Sequence, residues 1–483
     1  MTGYPMLPSL PTVALLLLIY FVCVAVYRLY FHPLSKFPGP RLAAITDLWE
    51  LYQDYIREES GHLFLELDKL HERYGPIVRI RPNEVHPRDR DPLVGTAIGT
   101  PQATIGTGPY ELHRMRKAAI SPFFSSRAVG KMEADIQAHA TKLFDDMETR
   151  VGEVLDLRVY FLAWTTDFIT GAIFHKSTDI FWDAKRAEDW FAVVFDFSGK
   201  FPLMKHLPWL VTTGLALPLY AWRVFMPSLV PFISVHKSLV DLPIEEDDQK
   251  DIFETILAST LPLKQKQPKR MANEVFNLLI AGSLTTSKTA MVAVFHLLDN
   301  PSMLQKLRTE LLVVMPDRSE SLDIKTLQKL PILDAVIKET MRIGCVVTTR
   351  FPMIAQQKAL RHRNVDIPAG SSISMTFCKA AIDPAIFADP YAFRPERWLD
   401  GSQKTHDYDR FVLPFGRGSR ICVGQHLSYA QLYILLGGIF RRIDMQLFET
   451  TRGRDIEIRG GGPLGEPTRL SKGMRVKIMG VLA

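Results

Sequence analysis

The longest apolar run of the chain lies near its N-terminus, where Val13 to Tyr27 contains no charged residue. With Met6 to Pro11 before it, the run approaches the roughly 20 apolar residues that a membrane-spanning helix needs. No lysine or arginine precedes it, whereas Arg28 and Lys36 follow it, and positive charge marks the cytosolic side of a span. The pattern predicts a membrane anchor over residues 1–30 with the remainder in the cytosol. A cleaved signal peptide is the alternative, but the segment lacks a basic start and a small-residue cleavage site.

A proline-rich segment follows the anchor. It contains Lys-Phe-Pro-Gly-Pro at positions 36–40 and predicts a stiff hinge over residues 31–44, because proline fixes the backbone angle φ. Residues 48–74 then repeat apolar positions at helical spacing. Residues 77–80 and 84–85 have the composition of two short strands, with Pro82 and Asn83 as the turn between them.

The remaining pattern is mostly helical. Residues 130–200 are amphipathic, and residues 269–298 and 332–342 predict a long and a shorter buried helix. Strands and turns are predicted over 350–353 and 367–375, and residues 456–458, 460–462 and 474–476 predict a closing hairpin. We therefore expect a mainly α fold with a small β-sheet region, an α+β domain over residues 45–483.

Residues 201–232 differ from this pattern because they are crowded with proline, tryptophan, leucine and phenylalanine. Such a segment can belong to a core. In a membrane-anchored chain it predicts contact with the lipid interface and an entrance for an apolar substrate.

Composition narrows the possible functions. The chain has 483 residues, of which 47% are apolar and 23% charged, with a net charge of +6. These values are typical of a globular protein, and no basic run with interleaved aromatic residues predicts binding to nucleic acid. The cysteines show no C-x-x-C spacing for zinc and no disulfide framework, which favours a reducing compartment. The four cysteines are Cys23, Cys345, Cys378 and Cys422.

The candidate chemistry centres on residues 415–424, which read Phe-Gly-Arg-Gly-Ser-Arg-Ile-Cys-Val-Gly. A lone cysteine is more often a small buried apolar residue than a functional one. Here, however, the complete pattern Phe-x-x-Gly-x-Arg-x-Cys-x-Gly is present, and it resembles the cysteine-ligand signature of the cytochrome P450 family of haem-thiolate monooxygenases. The resemblance implies the cytochrome P450 fold with an N-terminal transmembrane helix. It also implies that the Cys422 thiolate binds the iron of haem b (iron protoporphyrin IX).

Within that resemblance, further positions match the family's haem site. The residues implied to contact the haem are His113, Arg114, Arg350, Phe415, Gly418, Arg420, Cys422 and Gly424. The helix at 110–117 could equally present an ordinary solvated charged face. Residues 281–286, Ala-Gly-Ser-Leu-Thr-Thr, are similar to the segment in which the family opens a helix to admit O2. Thr285 matches the proton-delivering threonine, but Leu284 stands where the family usually has an acid.

A structural motif of the family is also matched. Glu339 and Arg342 share a helix face, and an isolated pair of this kind is by default an exposed ion pair worth less than ~1 kcal/mol. Arg397 follows at the place that completes the family's Glu–Arg–Arg triad. The resemblance implies that these three residues stabilise the core behind the haem.

The resemblance also implies partners and a location. We expect O2, an apolar small-molecule substrate, membrane lipid and electrons from NADPH through a separate cytochrome reductase. The reductase is expected to dock on a basic face near Cys422, with Arg116, Lys117, Arg417 and Arg441 as candidates. The expected location is the endoplasmic reticulum membrane, with a single span and a cytosolic catalytic domain.

Three stretches, at 37–40, 74–80 and 113–116, are most similar to fungal members of the trichodiene-oxygenase-like group. A terpenoid or another apolar secondary metabolite is therefore the implied substrate. Two alternatives stay open: a haem enzyme that rearranges or dehydrates its substrate without a reductase, and a catalytically impaired paralogue.

One segment is shorter than the family pattern. Only Pro87 separates His86 from the charged residues at 88–92, where family members usually carry a helix and a loop that help to form the roof of the substrate pocket. A natural shortening is one explanation. We expect instead that the transcript encodes about one helix more after His86, and that the chain as written binds haem poorly or turns over weakly.

Overall fold

A computed structural model describes residues 9–57, 63–87, 103–174, 178–206, 219–225, 230, 252–320, 323–354, 358–362, 364–401 and 407–483. The short segment after His86, and most of 201–232, lie outside these ranges. Among the described residues the predicted α+β class is confirmed, with helices forming most of the chain and short strands forming small sheets.

The helices follow the chain in this order. They are α1 Leu10–Val26, α2 Arg41–Ile45, α3 Leu48–Leu51, α4 Leu63–Tyr74, α5 Tyr110–Ile120, α6 Ser126–Lys131, α7 Glu133–Thr149, α8 Leu157–Phe174, α9 Ala184–His206, α10 Leu219–Phe225, α11 Ile252–Leu257, α12 Pro268–Leu298, α13 Pro301–Val314, α14 Ile324–Leu327, α15 Pro331–Gly344, α16 Phe377–Ala381 and α17 Gln425–Arg442. Proline in the first turn begins α12, α13 and α15, where its missing N–H costs nothing.

The strands form two sheets and two short hairpins. They are β1 Ile77–Arg81, β2 Glu84–Pro87, β3 Val154–Asp156, β4 Phe351–Ile354, β5 Leu360–His362, β6 Val365–Ile367, β7 Ser372–Met375, β8 Ile443–Leu447, β9 Gly460–Gly461, β10 Gly465–Glu466 and β11 Arg475–Val481. The larger sheet has the order β1-β2-β7-β4, the smaller one β3-β11-β8, and β5-β6 and β9-β10 are the hairpins.

The predicted C-terminal hairpin is corrected. Strand β11 pairs with β8 and β3, and not with residues 456–458. The hairpin of this region, β9–β10, lies instead in the glycine-rich stretch that follows. The glycine-rich stretch therefore marks the β9–β10 hairpin, whereas the strands that pair with β11 are distant in sequence.

The core surrounds α12, which packs against α8 on one side and against α15 and α17 on another. The helix is buried over 270–276 and 289–297, and most of the apolar side chains there belong to the largest apolar cluster. Although α12 is apolar enough to span a membrane, 61% of its most apolar window is buried inside the protein, as expected of a core helix.

The N-terminal helix has the opposite character. Leu10–Phe31 is a candidate membrane span whose apolar window has no buried residue, with α1 continued by a π-helical turn, Tyr27–Phe31. Part of the predicted hinge is not a free spacer, because Leu34 and Phe37 are buried against the larger sheet. A Cβ at Gly39 would lie 2.2 Å from the carbonyl oxygen of Arg79, so only glycine permits this approach.

Candidate haem-thiolate active site

The loop before α17 fixes the position of Cys422. Its backbone N–H donates to the carbonyl oxygen of Phe415 at 2.9 Å, which closes the loop. Gly416 and Gly418 have φ values of +71° and +80°, in the left-handed region that favours glycine. A Cβ at Gly424 would meet the Cys422 sulfur at 4.0 Å. The loop therefore presents the cysteine in one defined position.

The Cys422 thiol is accessible, although protein atoms surround it closely. Cys422 is exposed, yet nearby protein raises the pKa of its thiol through burial. A hydrogen bond from the Gly424 backbone and the charge of Lys117 act in the opposite direction and favour the thiolate. A positive ligand such as iron would complete this effect, because thiolates are the form that binds metals.

Helix α5 contributes two basic residues to the loop on one of its faces. Lys117 donates from Nζ to the carbonyl oxygens of Ser419 and Ile421, at 2.9 Å and 2.7 Å. His113, one turn earlier, is buried, and its Nδ1 has no hydrogen-bond partner among the described residues. Burial, with the charges of Arg420 and Lys117, lowers the pKa of His113 to about 4.

Two predicted haem contacts on this side differ in placement. Arg420 donates to the carbonyl oxygens of Thr107 and Gly108, at 3.0 Å and 2.9 Å, and remains beside His113. Arg114 points elsewhere, since its side chain is 65% exposed and pairs with Glu111 at 2.9 Å. On α5, it is therefore Lys117 that contacts the cysteine loop, whereas Arg114 pairs with Glu111 at the surface. The i, i+4 spacing from His113 to Lys117 is the signal that sequence reasoning missed.

The middle of α12 carries the other half of the site. Ala281 is exposed and its neighbours Ile280 and Gly282 are half-buried, whereas the helix is buried on both sides of this stretch, which indicates an opening at this point of the core. The Thr285 hydroxyl donates to the Ala281 carbonyl oxygen at 2.9 Å. Next to it, the Thr286 hydroxyl donates to Ser428 of α17 at 3.2 Å, so this part of α12 contacts the helix that follows Cys422.

The resemblance implied that the helix itself opens locally at 281–286. This local break in the helix is not observed, because α12 is helical throughout Pro268–Leu298. Gly282 serves close packing instead: a Cβ there would lie 3.1 Å from the Ile169 side chain of α8. Leu284 packs against an apolar cluster of α8 and α9 that contains Leu162 and Trp190. These surroundings suit leucine and would disfavour a carboxylate at position 284.

The predicted triad is assembled in the core. Both side chains of the Glu339–Arg342 pair are fully buried, with Nη2–Oε1 at 2.8 Å and Nε–Oε2 at 2.9 Å. Arg397 donates from Nε to Glu339 at 3.1 Å, and the Trp398 indole donates to the same carboxylate at 2.9 Å. Arg342 also donates to three backbone carbonyl oxygens between 381 and 392.

Arg350, which was predicted at a haem propionate, is buried in an ion-pair network, with Glu50 at 2.5 Å and Glu84 at 2.7 Å. Although burial opposes the charge, these two carboxylates raise the pKa of Arg350 well above its ordinary value. Its charge is thus already paired within the protein, and the ion pairs join α3 to the larger sheet. Its contact with a propionate stays a prediction.

The predicted docking face is corrected in part. Arg116 is buried and donates to Thr107 at 2.6 Å, while Arg441 is buried and donates to carbonyl oxygens such as that of Met315. Neither offers its charge to a partner surface. Arg417 is exposed, and Lys117 is half-buried against the loop.

The residues present fit a haem group. Cys422 is accessible to a ligand, the opening at Ala281 lies on the helix that contacts α17, and the cations of Lys117 and Arg420 suit carboxylate side groups. The Nδ1 of buried His113, which accepts or donates no hydrogen bond within the described part of the chain, adds a further polar atom beside these charges. Charge-assisted hydrogen bonds of this kind are strong in partly buried places.

Comparison with known proteins agrees with this geometry. The family model described as Cytochrome P450 matches residues 82–470, and the chain belongs to that family. The recognition made from the Cys422 loop is thereby confirmed, together with the assignment of the chain as a cytochrome P450 monooxygenase. The family implies a haem-iron cofactor, O2 and a small-molecule substrate.

Fungal relatives match along most of their length. A tryptophan 6-hydroxylase of Fusarium equiseti is 33% identical, with 94% of this chain and 94% of the relative aligned. A cytochrome P450 monooxygenase of Trichoderma arundinaceum is 32% identical over 94% of this chain and 92% of its own. An N-acetyltryptophan 6-hydroxylase of Emericella nidulans is 32% identical over 93% and 94%.

Proposed function

We propose that the chain inserts one oxygen atom of O2 into a C–H or C=C bond of an apolar fungal secondary metabolite. The observation that carries this proposal is the Cys422 loop, in which an accessible thiol, a loop-capping cation and a neighbouring histidine converge. When bound, haem supplies the activation of O2, and the thiolate supplies electron density that favours O–O cleavage.

The protein's own residues have distinct tasks in this proposal. Cys422 would bind the iron, while Phe415, Gly418 and Gly424 keep its loop in shape. His113, Lys117 and Arg420 would hold the haem carboxylates. Thr285 would hold a proton donor at the opening beside Ala281, and its own hydroxyl donates to the Ala281 carbonyl oxygen. Glu339, Arg342 and Arg397 stabilise the core.

Electrons come from NADPH through a separate cytochrome reductase, which docks near the exposed Arg417. The span at Leu10–Phe31 holds the enzyme in the endoplasmic reticulum membrane with its catalytic domain in the cytosol. This orientation is supported by the basic residues that follow the span.

A terpenoid is the proposed substrate class, because the sequence resembles the trichodiene-oxygenase-like group. The names of two relatives favour a second class, an indole of the tryptophan type. Haem-dependent rearrangement without a reductase stays open, since Leu284 replaces the usual acid.

The test is co-expression with a fungal NADPH–cytochrome reductase, followed by product analysis against a panel of terpenoids and tryptophan derivatives. We expect oxygenated product only when reductase and NADPH are present. Product formed equally well without them would favour the rearrangement reaction. In the same material, Cys422→Ser is expected to abolish the long-wavelength absorption of the reduced, CO-bound protein, whereas Cys23→Ser in the anchor leaves it unchanged. An unchanged spectrum in Cys422→Ser would refute the assigned ligand.

A further inference from the structure

Helix α12 carries one charged residue near Thr285. Between Glu274 and His296, Lys288 is the single ionisable side chain of the helix. Ala281, Thr285 and Lys288 have i, i+4 and i+7 spacing, so they share one helix face. Because Ala281 is exposed at the core opening, this face borders the proposed substrate pocket.

The Lys288 ammonium does not point into water. Its side chain is 12% exposed, and Nζ is buried without a hydrogen bond to any residue that the structure describes. The Glu466 carboxylate lies 3.3 Å from it, and that side chain is 25% exposed. A buried ammonium requires a compensating charge, and Glu466 supplies it.

Glu466 belongs to the β9–β10 hairpin, which has a second attachment. The Gly465 N–H donates to the carbonyl oxygen of Val346 at 3.0 Å, and Leu464 pairs with Val347 in an isolated bridge. The hairpin is thus held on one side by the segment after α15 and on the other by the ion pair to α12.

Neighbouring side chains leave the hairpin little room at Gly465. A Cβ at Gly465 would lie 2.6 Å from the Ile458 side chain and 2.8 Å from the Thr348 side chain. The hairpin is therefore closely packed on the Val346 side. On the α12 side the ion pair holds it through charge, because the two partners meet without hydrogen-bond geometry.

We propose that the Lys288–Glu466 ion pair is a specificity-determining contact that fixes the β9–β10 hairpin against the Thr285 face of α12. It thereby sets how close the hairpin approaches a substrate held beside Thr285. Lys288 is a positioning residue in this role, since it acts through the hairpin. The ion-pair contact is independent of the proposed function, whereas its effect on substrate binding rests on that function.

Hydrogen exchange of the full-length protein tests the contact directly. In Lys288→Met, we expect exchange in peptides covering 459–466 to rise at least severalfold, with peptides of α8 unchanged. Lys288→Arg keeps the charge and is expected to restore slow exchange. Lys269→Met, an exposed lysine of the same helix, is the matched control and should behave as wild type.

Ligand binding tests the consequence. Imidazole and its phenyl derivative are titrated into each haem-loaded variant, since a neutral imidazole nitrogen is a common metal ligand. Lys288→Met is expected to weaken the phenyl derivative severalfold and to leave imidazole unchanged, because the larger ligand extends further toward the walls of the pocket. Glu466→Gln should do the same, and Lys288→Arg should recover wild-type affinity.

The outcomes separate the two proposals. Unchanged exchange at 459–466 in Lys288→Met would overturn the ion-pair contact, and faster exchange with unaltered affinity for the phenyl derivative would overturn its effect on specificity. Loss of haem from all forms, wild type included, would instead refute the proposed function, while the exchange result would still decide the contact.

Discussion

The ammonium nitrogen of Lys117 lies 2.7 Å from the carbonyl oxygen of Ile421, the residue before Cys422. This contact joins α5 to the cysteine loop across more than 300 positions of sequence. It also brings a positive charge close enough to lower the pKa of the Cys422 thiol against the effect of burial. One lysine therefore both holds the loop and favours its thiolate.

Replacing this lysine gives the first prediction. In haem-free Lys117→Met, the Cys422 thiol is expected to react with iodoacetamide only at higher pH than in wild type, because a cation that favours the thiolate is lost. The same variant should retain less haem after purification. The control is Arg114→Met, which removes an exposed arginine of the same helix and should match wild type in both measurements. The assignment is wrong if the two variants behave alike.

The buried triad gives the second prediction. Glu339→Gln removes the carboxylate that serves Arg342, Arg397 and the Trp398 indole, and leaves buried guanidinium groups without compensation. Breaking a buried ion pair in this way costs about 3–5 kcal/mol, a large part of the ~5–15 kcal/mol that stabilises a typical protein. We expect little soluble, haem-loaded protein and a much lower midpoint of thermal unfolding.

The control for the triad is Arg394→Ala. The Arg394 side chain is 53% exposed and pairs with Asp389 at the surface, while its backbone N–H still serves Glu339. Its loss should cost less than ~1 kcal/mol. A Glu339→Gln protein as stable as Arg394→Ala would show that the triad does not stabilise the core.

The third prediction concerns acid stability. His296 is buried and stacked on Phe393, with ring centroids 4.8 Å apart. Burial, with the charges of Arg452 and Arg342, lowers its pKa from 6.5 to about 3. The unfolded state therefore binds a proton that the folded state excludes between these values, so stability falls as pH decreases through this window.

The measurement is the free energy of unfolding at pH 7 and at pH 5. Between these pH values, the free energy of unfolding of wild type is expected to fall by up to about 2 kcal/mol more than that of His296→Phe, since each pH unit below 6.5 contributes ~1.4 kcal/mol. Phenylalanine keeps a ring against Phe393 but cannot bind a proton. Parallel losses in the two proteins would refute the low pKa.

Some features could be predicted from the local sequence pattern or from a family motif, because neighbouring residues encode them. Helix α12 has a long apolar period that begins at a proline, and the structure places its bounds at Pro268 and Leu298, within one residue of the prediction. The Cys422 loop is likewise a contiguous motif. Its two glycines have the positive φ angles that such a turn requires.

Other features depended on partners that are remote in sequence. Arg350 was predicted at a propionate, but Glu50, 300 positions away, neutralises it. Arg116 and Arg441 carry charge and were predicted at a docking surface, yet both are buried in the folded protein. Arg116 donates to a threonine hydroxyl, and Arg441 donates to backbone carbonyl oxygens. No local pattern distinguishes a buried arginine from an exposed one, because its partners are brought by the fold.

The fourth prediction concerns the membrane anchor and where it can be removed. The Arg79 side chain is 2% exposed and donates from Nη1 to the carbonyl oxygen of Arg28 at 2.8 Å. Arg28 in turn donates from its guanidinium to the carbonyl oxygen of Ile45. The last residues before the hinge are therefore part of the folded domain, although they end the candidate span.

Two truncations separate membrane attachment from folding. Deleting residues 1–26 or 1–30 should each reduce membrane integration, because both remove most of the Leu10–Phe31 span. Only the longer deletion takes away the Arg28 carbonyl oxygen that accepts from Arg79 Nη1, and an unpaired buried donor costs about 1–3 kcal/mol. We expect the 1–30 deletion to unfold at lower temperature than the 1–26 deletion. Arg28→Ala in the full chain keeps the backbone carbonyl and is expected to retain the Arg79 hydrogen bond, which separates that contact from the Arg28 side chain. Equal thermal midpoints for the two truncations would contradict the role given to Arg28, and full membrane integration of either one would contradict the anchor.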